Sequence, residues 1–317
     1  MVEAWGLFVL GLVLLALGGD TLVKGVSGLA QKAGLSPFTA GLLLMALGTS
    51  LPELFINGAA LVDGQPALAL GNAVGSNLVN LGLTLPLAAL CAPLLVRMRL
   101  LSPLLIVLIV ATALVMVFGL DGHINRLEGA ILLAGFVVVM VRMVVLGRSE
   151  APEVRTSVET FASTRTVPWL NLVRLVIGVV LLGYGARDVV HAVQGFAPSL
   201  GLTPLMAGLL PLAIGSALPE VAAAIVAARR GQGDMVLGHV IGSSVCNLLL
   251  VIGGMAVIAP LALPASFVRL ELPAAIALAV VLVPMLRGDL RLSRGEASVL
   301  LLAFVGWIAL ELASLSS

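Results

Sequence analysis

Charge is scarce in this sequence. Asp, Glu, Lys and Arg make up 10% of the 317 residues and hydrophobic residues make up 60%, while the mean hydropathy is +1.18. Soluble domains are roughly one quarter charged, so these values indicate an integral membrane protein. The net charge of +1, with no basic stretch above the apolar background, argues against a nucleic-acid partner.

Cysteine and histidine are also rare. Cys91 and Cys246 lie far apart in apolar runs, so we expect small buried packing residues and no disulfide. No cluster of metal-binding histidines and no nucleophile beside a base is visible in the sequence, which argues against an enzyme. The N-terminus lacks the positive charge of a secretory signal and carries Glu3, so we expect its apolar run to be kept as a membrane span.

Long apolar runs, in contrast, are abundant. A helix needs about 20 apolar residues to cross the hydrocarbon core of a bilayer, and ten runs come close to or exceed that length. They cover residues 4–30, 37–62, 66–92, 101–119, 127–146, 168–195, 203–228, 234–260, 268–286 and 295–313. The polar stretch at residues 147–167 separates the fifth run from the sixth and is too short to bury a core, which predicts a solvated linker.

The second half of the chain repeats the first. Displaced by 167 positions, residues 34–53 align with residues 201–220, and residues 71–80 align with residues 238–247, without a gap. About twenty positions between 34 and 82 are identical to their mates between 201 and 249. Each half has five spans, an odd number, so the two halves enter the membrane in opposite orientations. The predicted fold class is therefore an all-α integral membrane protein of ten transmembrane helices, arranged as two inverted five-helix repeats, 1–146 and 168–317.

The distribution of basic residues tests this topology, because Lys and Arg in short loops mark the cytoplasmic side of a membrane. With the N-terminus outside, the inner loops contain Lys32, Arg97, Arg99, Arg148, Arg155, Arg165, Arg229, Arg230, Arg287, Arg291 and Arg294. The outer loops contain only Arg126 and Arg269. The sequence thus predicts a multi-pass cell-membrane protein with an outer N-terminus and a cytoplasmic linker at 147–167, and its short linker favours a bacterial inner membrane. We expect a lipid-embedded monomer or weak homo-oligomer.

Two related motifs, GTSLPE at 48–53 and GSALPE at 215–220, interrupt the second and seventh spans. Proline has no amide hydrogen, so Pro52 and Pro219 remove the helical hydrogen bonds to the carbonyls of Gly48 and Gly215. Inside lipid an unpaired carbonyl costs several kcal/mol unless a polar group or a cation satisfies it. Inverted repeats with interrupted helices are typical of secondary transporters.

Each motif ends in a carboxylate. Glu53 and Glu220 lie near the centre of a span, where an ionised side chain costs at least about 2.5 kcal/mol, so such residues generally serve function. Helical spacing places further small and polar residues near them, namely Ala46, Thr49 and Ser50, Ala213, Ser216 and Ala217, and, on the neighbouring spans, Ser76, Asn80, Ser243 and Asn247. An all-oxygen set suits calcium and lacks the sulfur and imidazole ligands that favour zinc or copper.

Other interpretations of these residues exist. One buried Glu can be protonated and bridge two helices, but two related Glu after matching prolines make that reading much weaker. Glycines at 71, 75, 238 and 242 follow the small-xxx-small spacing of close helix packing, and we assign them that role. Asp20 and Asp188 are either vestibule acids or, as we prefer, acids paired with a nearby base such as Lys24 or Arg187.

The motif GTSLPE with GNAVGSNLVN, repeated as GSALPE with GHVIGSSVCN, resembles the two alpha repeats of the sodium/calcium exchanger family within the cation/calcium antiporter superfamily. The resemblance covers essentially the whole chain. It implies an antiporter that exchanges calcium for sodium by alternating access, with the transported ions and no cofactor, and in which the first and sixth spans slide against the other eight. It implies calcium ligands at Glu53 and Glu220 and at the main-chain oxygens of Thr49 and Ser216. Sodium sites are implied at Ala46, Ser50, Ser76, Ala213 and Ser243, with Asn80 and Asn247 lining the cavity.

The sequence departs from the family pattern in two places. Ala217 lacks the hydroxyl that its mate Ser50 keeps, which puts one sodium position in doubt. His239 replaces the Asn found at position 72 of the first repeat and lies on the same helical face as Ser243 and Asn247, along the cytoplasmic approach. It either makes transport proton-sensitive or hydrogen-bonds a neighbouring helix. A proton-coupled calcium antiporter is the nearest alternative function, a cation channel is more distant, and a membrane-embedded hydrolase is more distant still.

Overall fold

A computed structural model describes residues 2–287 and 290–315, without the side chains of Thr49, Phe161, residues 285–287 and residues 314–315. The described chain is nearly all helical. Its α-helices are α1 (Val2–Lys32), α2 (Pro37–Leu47), α3 (Leu51–Val62), α4 (Pro66–Val79), α5 (Leu85–Cys91), α6 (Leu101–Phe118), α7 (Arg126–Gly147), α8 (Pro152–Ala162), α9 (Pro168–Phe196), α10 (Pro204–Ala207), α11 (Ala213–Ser216), α12 (Leu218–Arg229), α13 (Gly233–Cys246), α14 (Gly253–Ile258), α15 (Leu272–Arg287) and α16 (Arg294–Leu315).

Short irregular turns join several of these helices into longer spans. Among the described residues, the π-helical turns are Asn80–Thr84, Gly208–Leu212, Asn247–Ile252 and Phe267–Glu271, and the 3-10 turns are Gly48–Ser50, Gly119–Asp121 and Ala197–Leu200. Nine helical stretches in the described ranges are long and apolar enough to span a membrane, and a tenth forms if α2 and α3, bent by 43° around the turn at 48–50, count as one span. The predicted fold of ten membrane spans is confirmed.

Two small sheets display the inversion of the halves. Strand β1 (Leu94–Leu95) pairs antiparallel with β4 (Arg291–Leu292), and β2 (His123–Ile124) pairs antiparallel with β3 (Leu261–Ala262). The displacement of 167 positions places β3 on β1, because Leu94 aligns with Leu261. Each sheet therefore combines one strand from each repeat. These strands lie between the apolar runs, and the sequence analysis did not predict them.

Helices α1 and α9 lie antiparallel and pack closely along their length, because glycines let their backbones approach. A Cβ on Gly11 would lie 2.6 Å from Val189, and a Cβ on its mate Gly178 would lie 2.7 Å from Leu22, which is the mate of Val189. The two contacts are therefore equivalent under the repeat, with the roles of α1 and α9 interchanged. The displacement of 167 positions that aligns the motifs also relates α1 to α9.

The glycines at 71, 75, 238 and 242 lie at helix contacts. A Cβ on Gly75 would lie 2.5 Å from the carbonyl oxygen of Leu209, and a Cβ on Gly242 would lie 2.9 Å from the Cα of Ala46. Helix α4 thus packs against the seventh span, and α13 packs against α2. The packing role expected for these glycines is confirmed.

The linker is more ordered than the sequence predicted. Residues 152–162 form α8, whose Val154, Val158 and Ala162 are buried, and Val158 contacts Gly41 on α2. Before α8, Glu150 accepts hydrogen bonds from the backbone amides of residues 99 and 100 at the start of α6. The expectation of a solvated linker is wrong for one face of α8, because three apolar side chains spaced by four residues give this short segment a face that packs on the helices.

The cysteines differ in environment. Both are free, as expected, and Cys246 is buried, but Cys91 is exposed at the end of α5. The prediction that both are buried is therefore wrong for Cys91. An apolar run shows that a residue lies in a span and does not show which side faces the protein interior.

Candidate functional site

The two motif carboxylates lie in the first turn of a half-helix, Glu53 in α3 and Glu220 in α12. The N-terminal end of a helix carries partial positive charge, which favours an anion there. Glu53 is 2% exposed. One carboxylate oxygen of each Glu is buried without a hydrogen-bond partner in the described structure. The two side chains are close enough to repel each other electrostatically.

Hydroxyl and amide groups gather beside Glu53. The hydroxyl of Ser50 lies 3.0 Å from that of Ser243, and Asn80 donates from Nδ2 to the same Ser243 oxygen at 3.5 Å. The Ser50 hydroxyl also donates to the carbonyl of Ala46 at 3.3 Å. Residues from both repeats therefore share one buried polar cluster.

A second polar cluster also joins the two repeats. Asn247 donates from Nδ2 to Oδ1 of Asn77 at 3.2 Å, and Asn77 donates to the carbonyl of Ser244 at 3.3 Å. Oδ1 of Asn247 and the hydroxyl of Ser76 are buried and have no partner within the described ranges. Ser76 is the mate of Ser243, and Ala217 is the mate of Ser50. Because Ala217 has no hydroxyl, Ser76 lacks the bond that Ser243 makes.

The remaining predicted residues lie around these clusters. Ser216 is buried and its hydroxyl donates to the carbonyl of Ala213 at 3.2 Å. Ala46 and Ala213 are fully buried. The side chain of Thr49 lies outside the described part of the chain. The donors near the two carboxylates are thus hydroxyl, amide and main-chain oxygens, a set suited to sodium and calcium.

A cavity of about 690 Å³ leads to the site from one face of the protein. Its outer rim includes Ser163, Thr164 and Arg230, and its inner wall includes Glu220 and His239. We call this side the linker face, and the other side the opposite face. Glu220 is half-buried and borders the cavity, whereas Glu53 lies beyond it. The site is therefore accessible from the linker face.

The halves differ in how tightly they close. In the first repeat, Asn72 donates to Oδ1 of Asn57 at 2.9 Å, and both side chains are buried. Their mates in the second repeat are His239 and Ala224, which line the cavity instead. Nε2 of His239 is buried and has no hydrogen-bond partner among the described residues. His239 thus lines the cavity, and its role on the approach to the site stays a prediction.

Sequence reasoning missed three participants. Asn57 and Asn77 are buried amides in apolar spans, and that pattern was a usable signal, because a buried amide requires polar partners. Cys246 lies close enough to Ser50 and Glu53 to interact with them electrostatically, so there is a thiol near the site that the sequence suggested was free of sulfur. The thiol was not predictable, since only packing shows which face of α13 points inward.

Asp20 pairs with a nearby base, as we preferred, whereas the pairing of Asp188 with Arg187 stays a prediction. Asp20 pairs with Lys24, with 2.6 Å between Oδ2 and Nζ. Both residues line the cavity, whereas Asp188 is not among the lining residues. Across the described ranges, no group of three or more His, Cys, Asp and Glu side chains is placed to hold a metal ion.

Comparisons with known proteins agree with this architecture. The family described as sodium/calcium exchanger protein matches residues 3–145 and 170–313. The chain is 36% identical over 307 residues to CaxA of Alkalimonas amylolytica, provisionally named an antiporter, with 95% of this chain and 96% of CaxA covered. It is 27% identical to the sodium/calcium exchanger MaX1 of Methanosarcina acetivorans, over 95% of this chain and 96% of MaX1.

A solved structure of the sodium-calcium exchanger NCX_Mj, soaked with sodium and strontium ions, has the same fold. It superposes with a TM-score of 0.69 at 28% identity, over 97% of this chain and 98% of that chain. The fold and the paired carboxylates define a multi-pass membrane antiporter for cations, a class of transporters and not of enzymes. The chain belongs to the sodium/calcium exchanger family.

Proposed function

We propose that this protein exchanges calcium for sodium across the cell membrane by alternating access. The observation that carries the proposal is the pair of acids Glu53 and Glu220, one from each inverted repeat. Each has one buried oxygen without a partner among the described residues. Two neighbouring carboxylates in a low-dielectric site repel each other unless cations neutralise them. One calcium ion or several sodium ions supply the required charge.

The coupling of the two fluxes follows from this charge balance. An unoccupied pair of carboxylates is costly to carry through a closed, dry intermediate, so the protein moves the site only when it is loaded. In this proposal Glu53 and Glu220 hold calcium together with the main-chain oxygens of Thr49 and Ser216. Sodium binds at Ala46, Ser50, Ser76, Ala213 and Ser243, and Asn80 and Asn247 line the central space.

The membrane orientation belongs to the same proposal. Basic residues concentrate on the linker face, which we take as the cytoplasmic side of a bacterial inner membrane, with the N-terminus outside. The described state is then open to the cytoplasm. We propose that one chain forms a complete transport unit, because both carboxylates and both polar clusters come from a single polypeptide.

Calcium-45 uptake into proteoliposomes tests the proposal. The purified protein is assayed under an imposed sodium, potassium or proton gradient, alongside Glu53→Gln and Glu220→Gln. We expect a sodium gradient to drive uptake and either substitution to reduce uptake to that of empty liposomes, since each removes one of two charges that balance calcium. Glu3→Gln, which changes an exposed acid, is the control and should transport normally. Full uptake by either site variant would contradict the proposal.

A proton-coupled calcium antiporter is the second candidate, and the placement of His239 in the cavity wall favours it. The same assay separates the two functions, because collapse of the sodium gradient with the pH gradient intact stops only a sodium-driven exchanger. Flux that saturates and needs a counter-ion further distinguishes either antiporter from a cation channel.

A further inference from the structure

A polar contact joins α9 to the end of α3 on the opposite face. Nε2 of His191 lies 3.4 Å from Oδ2 of Asp63, and the contact is an ion pair when His191 is protonated. Arg187 precedes His191 by one helical turn. Helix α9 belongs to the tightly packed α1 and α9 pair, whereas Asp63 caps the C-terminal end of α3, the half-helix that carries Glu53 in its first turn. The contact therefore links the α1 and α9 pair to the helix that carries a site carboxylate.

The inverted repeat places three charged residues at the equivalent position on the linker face. Displacement by 167 positions relates Arg187 to Asp20, His191 to Lys24, and Asp63 to Arg230. All three residues on the linker face line the open cavity. Here Asp20 pairs with Lys24, its neighbour one turn along α1, and Arg230 belongs to another wall of the same cavity.

The two sets of charged residues lie at the two entrances to the site, which we call mouths, and one mouth is open while the other is closed. Ala223 and Val23 line the cavity on the linker face. Their mates on the opposite face, Ile56 and Val190, are 0% exposed. The mouth on the opposite face is therefore closed where α9 contacts α3, and the mouth on the linker face is open where α1 stands apart from α12.

We propose that ion pairs latch the two mouths alternately: Asp63 with His191 holds the opposite face shut in the state described, and Asp20 with Arg230 holds the linker face shut in the other. The inference rests on the alternating access of the proposed function. Helices α1 and α12 are the mates of α9 and α3. When the linker face closes, the inverted repeat therefore brings α1 against α12 in the way that α9 contacts α3 in the state described. Lys24 then faces Arg230, so Asp20 supplies the opposite charge from the same helical face.

The acidic and basic positions are swapped between the two latches. On the opposite face the acid is on the half-helix and the basic residues are on α9, whereas on the linker face the acid is on α1 and the basic residue follows α12. Each mouth keeps an attractive pair although none of the three equivalent positions keeps its residue type. Loss of Asp20 leaves two cations at the closed linker mouth, and loss of Asp63 leaves two basic residues of α9 without their acid.

Exposed ion pairs are weak, so each latch shifts the balance of states by up to about fivefold. Cysteine labelling in nanodiscs measures that shift without any ion gradient. In a Cys91→Ser background, Ala223→Cys reports opening of the linker mouth and Ile56→Cys reports opening of the opposite mouth. The probe is the neutral reagent N-ethylmaleimide, and Cys246 is buried.

Each latch is tested with the cysteine at the other mouth. The charge removed from the latch is then too far away to change the reactivity of that thiol directly. Asp63→Ala should slow labelling at 223, because the opposite mouth opens more often, and Asp20→Ala should slow labelling at 56. Both changes are expected at twofold to about fivefold. Adding Arg230→Gln to Asp20→Ala should restore much of the rate, since it removes the repulsion.

Asp121→Ala is the matched control, because Asp121 also contacts a histidine, His123 at 3.5 Å, but within one loop. Its labelling rates should equal those of the background protein. Unchanged rates in Asp63→Ala and Asp20→Ala, or changes no larger than the control, would overturn the latches. Labelling that responds in a protein without calcium transport would instead overturn only the proposed exchange.

Discussion

At the scale of single residues, the two repeats are less alike than their shared motifs imply. The bond between Ser50 and Ser243 has no equivalent at Ala217 and Ser76, and the bonded pair Asn57 and Asn72 is replaced by Ala224 and His239. Identical carboxylates therefore stand in unequal surroundings. The side with fewer internal hydrogen bonds leaves more oxygen and nitrogen atoms available to an ion or a proton.

His239 provides a prediction at this scale. Replacement with Asn, the residue at the mate position 72, should flatten the dependence of calcium uptake on pH, because it removes an ionisable imidazole from the wall of the cavity. Uptake into proteoliposomes at a constant sodium gradient measures the effect. His123→Asn, at an exposed histidine on a loop, is the control. Superimposable pH profiles for His239→Asn and the unmodified protein would exclude His239 as the sensor.

At the scale of helices, glycine decides which spans touch. The bilayer offers apolar helices little hydrophobic drive to associate, so close packing at small residues holds them together. Gly75 meets the backbone of the seventh span at Leu209, whereas Gly58 on α3 has no atom from other parts of the described chain within 4 Å of the position its Cβ would occupy. The two residues have the same helical context but different neighbours.

These glycines give a matched pair of substitutions. Gly75→Val should destabilise the protein by about 1–3 kcal/mol, because the added side chain overpacks the contact with the carbonyl of Leu209. Gly58→Val should leave stability nearly unchanged. Thermal unfolding in detergent, followed by the elution of intact protein, measures both. Equal losses at the two positions would mean that the intrinsic effect of Val in a helix, and not the interhelical contact, is responsible.

At the scale of the whole molecule, the inverted repeat relates the two faces to each other. The sheets formed by β1 with β4 and by β2 with β3 each join one strand of each half. The two motif carboxylates, Glu53 and Glu220, likewise come from opposite halves. A structure built this way has two equivalent mouths, and the described state opens one of them.

The topology is testable on intact cells. In a Cys91→Ser background, Asp121→Cys should react with a membrane-impermeant maleimide from outside, and Ser157→Cys on α8 should react only after the cytoplasmic side is exposed. The reason is that the two loops lie on opposite faces and the basic residues favour a cytoplasmic linker. The background protein without either cysteine is the control. Labelling of position 157 from outside would reverse the proposed orientation.

The sequence by itself determined the membrane class, the count of spans, the inverted duplication and the identity of the paired acids. These features depend on composition, on the length of apolar runs and on identities between the halves. All of them can be read from the chain without knowing which residues are in contact. The interruptions at Pro52 and Pro219 were also visible, because proline removes a backbone donor wherever it stands.

Only the tertiary structure decided which mouth is open, how α8 docks, and which polar side chains share partners across the repeats. The contacts of Asn77 with Asn247 and of His191 with Asp63 join residues far apart in the chain. Hydropathy does not encode such contacts, because nearly every face of an apolar span is hydrophobic and the pattern does not show which face points inward. The rotation of each helix follows from close packing at a few glycines, and that packing exists only once all the helices are assembled.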